Sequence, residues 1–542
     1  MFREGGTGKS FYAVCSGALG VFKSDSRGGE HLVTVLRSGE TVGEMALITS
    51  TPRSASIISL RDSTLIEIPE SAYRDIVFSE PTTILRLTRA LSERLARPQT
   101  RGARRERPRT VAVIPLTRGL DVVGIVQRIR KSLTRRRLAT VALDNSHSEQ
   151  PLDWLDKVEH SVDISFYVCS DPMSEPGWYR RALRQADRIL MLADARLQPP
   201  HFSLQLMPET VARIDLVLQH PPKLERPLPT AAWRDWLSGV PLTMNIRADS
   251  SVDIDRLART VSSSAPGLIL AGGGARGFAH LGVIKALREA GIPLDLVGGT
   301  SMGAIIGAGI ACDWETEEHI ERVREAFVVT NPLRDMTIPV LALYRGRRVS
   351  AGLERFFRDW RIEDLWRPFF CVSTNLSIHA EHVHQSGSLW RALRASIAVP
   401  GILPPVVENG QVLVDGGVLN NFPVDLMAQA PRGPLIGVDF APHYSVSDPS
   451  IDLESDWITR ILSIRRNRIP TLVGLLSASG TAASSARARQ AYSQLAIVFR
   501  PDLDDVAWLD WRRFDQTVEA GYRHAANLLE NYDVDELLST PP

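Results

Sequence analysis

Cysteine is scarce in this chain: four among 542 residues, Cys15, Cys169, Cys312 and Cys371, far apart and without a CxxC pair. That spacing argues against a disulfide framework and a cysteine-based zinc site, and it suits a reducing compartment. No apolar stretch approaches 18 residues, so no membrane span is expected. The opening Met1-Phe2-Arg3-Glu4-Gly5-Gly6 lacks a signal-peptide core. These absences lead us to expect a cytoplasmic protein, in contact with a membrane only peripherally if at all. Net charge is nearly absent too, +1 from 63 basic and 62 acidic residues, which removes a global electrostatic case for nucleic acid. Lysine is rare against arginine, a skew that carries no functional reading.

The organisation changes along the chain. Residues 1–96 begin with short alternating segments separated by glycine-bearing turns, such as "FYAVCSGALGVFK" and "STLIEIPE", which predict a small β-roll. A helix is expected from Ser71 to Arg97. Residues 97–109, "RPQTRGARRERPR", are polar and arginine-rich and read as a linker. From 110 to 262 strands alternate with helices ("TVAVIPL", "VDISFYVCS", "DRILMLADA"), the rhythm of a parallel α/β sheet. A second α/β region covers 263–440, and residues 441–542 form a mixed C-terminal extension. The chain is therefore expected to be multidomain, with a β-roll, a Rossmann-like middle domain and a C-terminal α/β domain.

Two phosphate motifs are decoys. "GGTGKS", Gly5–Ser10, ends like a P-loop, but the glycine required five residues before its second glycine is Arg3, and no strand precedes it. "GLILAGGGARGFAHLGV" fits the dinucleotide pattern Gly272-x-Gly274-x-x-Gly277 between an apolar strand and a helix. A dinucleotide site also needs an acid at the far end of the next strand. The only candidate, Asp295, stands at the near end. The far end carries Gly299-Thr300-Ser301-Met302-Gly303, a G-x-S-x-G turn between an apolar strand and the small-residue helix "MGAIIGAGIA". Ser301 becomes the candidate nucleophile, with Gly299 and Gly303 permitting its elbow. The amides of Gly272, Gly273 and Gly274, with Arg276 adding charge, become candidate oxyanion donors. Asp415, in "QVLVDGGVLNNFPV", is the carboxylate candidate. His443 would complete a Ser-Asp-His order. The histidines of "HAEHVH", His379, His382 and His384, read as an exposed strand face, and no metal site is expected.

GGGARG, GTSMG, "RASIAVPGILPPV" (Arg394–Val406) and DGG together resemble the patatin-like phospholipase family, in order and spacing across about 160 residues. Upstream, Gly43-Glu44-Met45-Ala46-Leu47 and Pro52-Arg53-Ser54-Ala55-Ser56 resemble the phosphate cassette of cyclic nucleotide-binding domains, here without the leading part of the pattern. With the middle region, most of the chain resembles the neuropathy target esterase branch. The resemblance implies a Ser301–Asp415 dyad that hydrolyses fatty-acyl esters of phospholipids or lysophospholipids through an acyl-enzyme, without a catalytic cofactor. It also implies a cyclic nucleotide site at Gly43, Glu44, Arg53 and Ser54 for cyclic AMP or cyclic GMP. Open beside it stand a nucleotide-sensing scaffold with little catalysis, a Ser-Asp-His hydrolase using His443, and a membrane contact through residues 457–475, Trp508 and Trp511.

The dyad and the triad separate by mutation. His443→Ala should keep most hydrolysis of a chromogenic ester while Asp415→Asn loses it; total loss in a folded His443→Ala protein favours the triad.

Overall fold

The computed structural model describes residues 1–24, 30–49, 51–79, 107–200, 212–237, 242–331, 334–338, 340–429, 433–440, 484 and 487–534. The residues divide into two compact units, Met1–Val217 with Gly239–Leu242, and Leu218–Ser238 with Thr243–Pro542.

In the first unit the early alternation becomes six strands: β1 (Ser10–Ser16), β2 (Ala18–Ser24), β3 (Glu30–Arg37), β4 (Thr41–Val42), β5 (Ser56–Ser59) and β6 (Thr64–Pro69). They pair antiparallel as β4-β1-β6 and β3-β2-β5. Val14, Leu19, Leu36, Val42 and Ile57 point inward and form the core of this roll. The helix after β6 spans Glu70–Ser79; the rest of the helix expected up to Arg97 lies outside the described residues.

The sheet then turns parallel, as the strand–helix rhythm predicts. β7 (Thr110–Pro115), β8 (Thr140–Leu143), β9 (Ile164–Val168) and β10 (Arg188–Asp194) take the order β10-β7-β9-β8. β7 and β9 are buried along their whole length, which is why they read as continuous apolar runs. Within this unit Arg61 reaches from the roll to Glu159 at 2.8 Å, both side chains buried, and Tyr167 donates to the same carboxylate at 2.6 Å. β11 (Arg213–His220) and β12 (Leu242–Arg247) follow where the division between the units falls.

The second unit is built on β13 (Gly267–Leu270), β14 (Leu296–Thr300), β15 (Phe369–Asn375), β16 (Ala380–His384), β17 (Val406–Glu408), β18 (Gln411–Asp415), β19 (Leu435–Val438) and β20 (Ile497–Phe499). β15, β14, β13, β19 and β20 run parallel, and β16 and β18 join β15 antiparallel. The C-terminal extension thus supplies a strand to this sheet. Its helix Phe514–Leu529 packs on the helix Ala279–Glu289 that follows the glycine-rich loop. Their backbones touch through two glycines: a Cβ on Gly282 would lie 1.9 Å from the Val518 carbonyl oxygen, and one on Gly521 2.2 Å from that of Ala279. Among the described residues no helix is long and apolar enough to cross a membrane.

Gly282→Val should force these helices apart and cost about 1–3 kcal/mol, as overpacking a tight contact does. Denaturant unfolding of the full chain checks it; an unchanged midpoint contradicts the close approach.

Candidate active site

β14 ends at Thr300, and the chain turns at once into the buried helix Met302–Ala311. Ser301 takes the turn with φ 55° and ψ −123°, a conformation that costs a non-glycine residue energy and that lifts its side chain clear of the sheet. The flanking glycines are required by packing. A Cβ on Gly303 would stand 2.2 Å from the Leu270 carbonyl oxygen, and one on Gly299 2.7 Å from the Gly303 backbone. Ser396 secures the turn from the other side: its Oγ accepts from the Ser301 amide at 3.0 Å and donates to the Val372 carbonyl at 2.7 Å. Ser396 belongs to "RASIAVPG" but was not singled out from the sequence. Nothing local marks it, because both of its partners are distant in the chain.

Asp415 arrives by a different route. β17 and β18 form a hairpin closed by Asn409-Gly410, with φ of 50° and 76°, the left-handed pair that a two-residue hairpin turn needs. β18 then lies against β15 with Asp415 opposite Ser373, while β14 lies against β15 with Thr300 opposite Val372. β16 pairs with β15 across from both, over Cys371–Asn375. β14 and β18 therefore share the other edge of β15 and meet end to end, one finishing before Ser301 and the other at Asp415.

The meeting is a hydrogen bond. Ser301 Oγ donates to Asp415 Oδ2 at 2.8 Å, and the Gly417 amide donates to Oδ1 at 2.7 Å. Both side chains are buried. Desolvation pushes the Asp415 carboxyl up to about 7, against these two hydrogen bonds that favour the anion. Among the described residues no histidine hydrogen-bonds to either group. His280 Nε2 faces the Ala271 carbonyl at 2.8 Å, and burial holds this imidazole down to about 3. His443 lies outside the described residues.

The glycine-rich loop abuts Ser301. A Cβ on Gly272 would approach Ser301 Cβ to 2.9 Å and Asn421 Oδ1 to 2.4 Å. Asn421 brackets this residue, accepting from the Gly272 amide at 3.1 Å and donating its Nδ2 to the Gly272 carbonyl at 3.0 Å. The Gly272 amide is thus already committed. Those of Gly273, Gly274 and Met302 have no acceptor among the described residues. Arg276 directs Nε to the Val506 carbonyl at 2.9 Å, so it ties the loop to the C-terminal extension.

Beside Ser301 opens an apolar hollow of about 470 Å³, walled by Ile397, Val399, Ile402, Leu403, Trp508 and Trp511 among others. The two tryptophans considered for membrane contact thus pack into the unit; Trp511 lies tilted against the rings of Phe278 and Phe327, with centroids 5.5 and 5.2 Å away. Residues 457–475 lie outside the described residues. A second apolar hollow of about 440 Å³ shares Ile305, Phe327 and Val349 with the first.

Other candidates fall elsewhere. Asp295 is bound by Arg259 at 2.5 and 2.7 Å, both buried, and is not free to grip a ribose. The "HAEHVH" stretch is only partly an exposed face. His379 sits in an exposed left-handed turn, but His384 is buried with Nε2 2.8 Å from Ser373 Oγ, since β16 covers one edge of β15. Among the described residues no cluster suits a metal ion. In the cassette, Gly43 adopts φ 91° and Glu44 is buried, while Ser54 is exposed. Arg53 is buried rather than open: it donates to the Gly43 carbonyl at 2.8 Å and the Ser10 carbonyl at 2.6 Å and lies 4.1 Å over the Phe2 ring.

An elbow serine, a buried aspartate and a glycine-rich loop on one α/β sheet define the patatin-like class, and residues 268–428 match the patatin-like phospholipase family. Residues 1–80 match the cyclic nucleotide-binding domain, and 108–264 the neuropathy target esterase (NTE) family P-loop like domain. An uncharacterized NTE family protein of Mycobacterium tuberculosis is 32% identical over 98% of this chain and 90% of its own length. The human patatin-like phospholipase domain-containing protein 6 is 30% identical over 97% of this chain and 43% of its own. The lysophospholipase NTE1 of Mycosarcoma maydis is 28% identical over 99% and 33%. The chain belongs to the NTE family, and it spans less than half the length of these human and fungal relatives.

The raised Asp415 carboxyl has two pH signatures. A base must be ionised, so kcat/KM for a soluble ester should rise with pH through about 7. The folded state binds this proton more tightly than the unfolded chain, so the stability it contributes is full below about pH 4 and is lost as pH rises through about 7. Asp415→Asn, neutral throughout, should melt above wild type at alkaline pH and close to it in acid. Equal melting shifts at both pH values contradict a desolvated carboxylate.

Proposed function

We propose that the protein is a serine esterase that hydrolyses fatty-acyl esters of phospholipids or lysophospholipids. The single observation that carries this reading is the 2.8 Å hydrogen bond from Ser301 to a buried Asp415 at an apolar hollow. Asp415 takes the hydroxyl proton as Ser301 Oγ attacks the ester carbonyl. The tetrahedral oxyanion is met by the uncommitted amides of Gly273 and Gly274, with Met302 at the helix N-terminus behind it. Asp415 returns the proton to the leaving alcohol. It then draws a proton from water as the water attacks the acyl-enzyme, and passes that proton to Ser301 Oγ as the acyl–oxygen bond breaks and the fatty acid leaves. Gly272 acts by letting the loop approach, not by its amide, and Arg276 by anchoring that loop.

The apolar walls suit the acyl chain rather than the headgroup. Phe327 stands in a π-helical turn, Glu325–Val329, of the partition between the two hollows. Phe327, with Ile305 and Val349, faces both hollows, so a chain passing from one to the other would meet it. The roll would serve regulation, with cyclic AMP or cyclic GMP as its ligand. Arg53, whose Nε has no hydrogen-bond partner among the described residues, would be the group to meet the phosphate.

A fluorophosphonate probe should label wild type and not Ser301→Ala, and that variant should lose phospholipid and lysophospholipid hydrolysis on the order of 10⁶-fold. An unlabelled wild type would leave the nucleotide-sensing scaffold as the better reading.

A further inference from the structure

The most exposed large apolar side chains in the described part of the protein lie together, and none of them belongs to the dyad or its hollow. Val340 is 84% exposed, Ile338 81% and Leu341 74%, and Met336 on the same segment is exposed as well. They occupy the tip of a hairpin. Its arms are joined by a Met336–Tyr344 bridge and by hydrogen bonds from Thr337 N to Leu343 O and from Arg345 N to Asp335 O, at 3.0 and 2.9 Å. Its base carries four exposed arginines, Arg334, Arg345, Arg347 and Arg348. With Asp335 as the only acid, residues 334–348 hold a local charge of +3 (four minus one), in a chain whose total is +1.

The hairpin is seated on the rim of the active-site hollow. The arm returning from the tip bonds along Gly401–Ile402: Leu343 N to Gly401 O at 2.9 Å and Tyr344 N to Ile402 O at 3.1 Å. Ile402 and Leu403 line the hollow beside Ser301. The helix that follows, Arg347–Phe357, delivers Val349 to the same wall.

We propose that this hairpin is the docking element for an anionic phospholipid surface. Ile338, Val340 and Leu341 enter the acyl boundary while the arginines at the base meet lipid phosphates. An isolated apolar patch would suit a protein partner equally well. Apolar tips above a basic collar match the two layers of a leaflet, where acyl carbon lies beneath a plane of phosphates. The shared rim supplies the purpose, because a lipid loosened at the tip lies next to the hollow that would hold its acyl chain. That last step rests on the lipid-esterase reading; the docking does not.

The test uses the full chain and vesicles of phosphatidylcholine with and without phosphatidylglycerol. Ile338→Ser/Val340→Ser/Leu341→Ser should reduce co-sedimentation on the order of tenfold or more, and should leave hydrolysis of a soluble short-chain ester unchanged. An environment-sensitive dye on Leu341→Cys should brighten with phosphatidylglycerol vesicles. Cys15→Ser is the background, because Cys15 is the exposed cysteine and Cys169, Cys312 and Cys371 are buried. Undiminished sedimentation of the triple variant, or a silent dye, overturns the proposal. So does a triple variant that converts a dimer to monomer with vesicle binding intact, which would assign the tip to a second copy. If wild type hydrolyses no ester, the esterase reading fails by itself and both vesicle measurements still judge the hairpin.

Discussion

A carboxylate withdrawn from water with no cation to compensate it depends on the few hydrogen bonds that reach it. For Asp415 these are the Gly417 amide and the Ser301 hydroxyl. Much of the second unit follows from meeting that need. Gly416 must lack a side chain, because a Cβ there would lie 2.3 Å from the Val372 carbonyl oxygen. Ser301 must hold a strained backbone to present its hydroxyl, and Ser396 and Thr300 secure that turn through Val372 and Asn420. The same desolvation that burdens the fold raises the proton affinity of the carboxylate, which is what the proposed base role of Asp415 needs. Stability and reactivity draw on one buried charge in opposite directions.

The features legible in the sequence are those written locally. An apolar strand, Gly299-x-Ser301-x-Gly303 and a helix of small residues describe the elbow without further help, and the apolar runs of β7 and β9 declare strands covered on both faces. The clamp was not legible. Ser396, Asn420 and Asn421 are ordinary polar residues until folding brings their distant partners near. His384 shows the limit of periodicity: alternation says that two faces differ, but not which face a neighbouring strand will cover. The Gly272 amide is a similar case, because the loop's glycines look equivalent until Asn421 is placed beside one of them.

The cassette in the roll shows how a motif can persist while its surroundings change. Gly43, Glu44 and Arg53 occupy the expected turn, yet the two terminal guanidinium nitrogens donate to backbone carbonyls and the group lies over an aromatic face. The Arg53 backbone pairs with the N-terminal segment, its amide donating to Gly6 and its carbonyl accepting from Gly5, both at 2.8 Å. Burial pulls the pKa of this guanidinium below its ordinary value, with Tyr12 and Glu44 pulling the other way. A motif read along the chain identifies the residues that could grip a phosphate. Only the fold tells what they grip when it is absent.

The two-residue turn at Asn409-Gly410 reaches beyond its hairpin. It sets the register of β18, and that register decides which side of the sheet Asp415 faces. A single residue gained or lost between Gly410 and Asp415 would turn the carboxyl away from Ser301 and exchange the faces of Leu413 and Val414 with it. The length of the segment is therefore as constrained as its composition, which the left-handed Asn409-Gly410 pair and the buried Leu413 and Val414 already restrict. A one-residue deletion in this turn would thus part Ser301 from its acceptor without altering either residue.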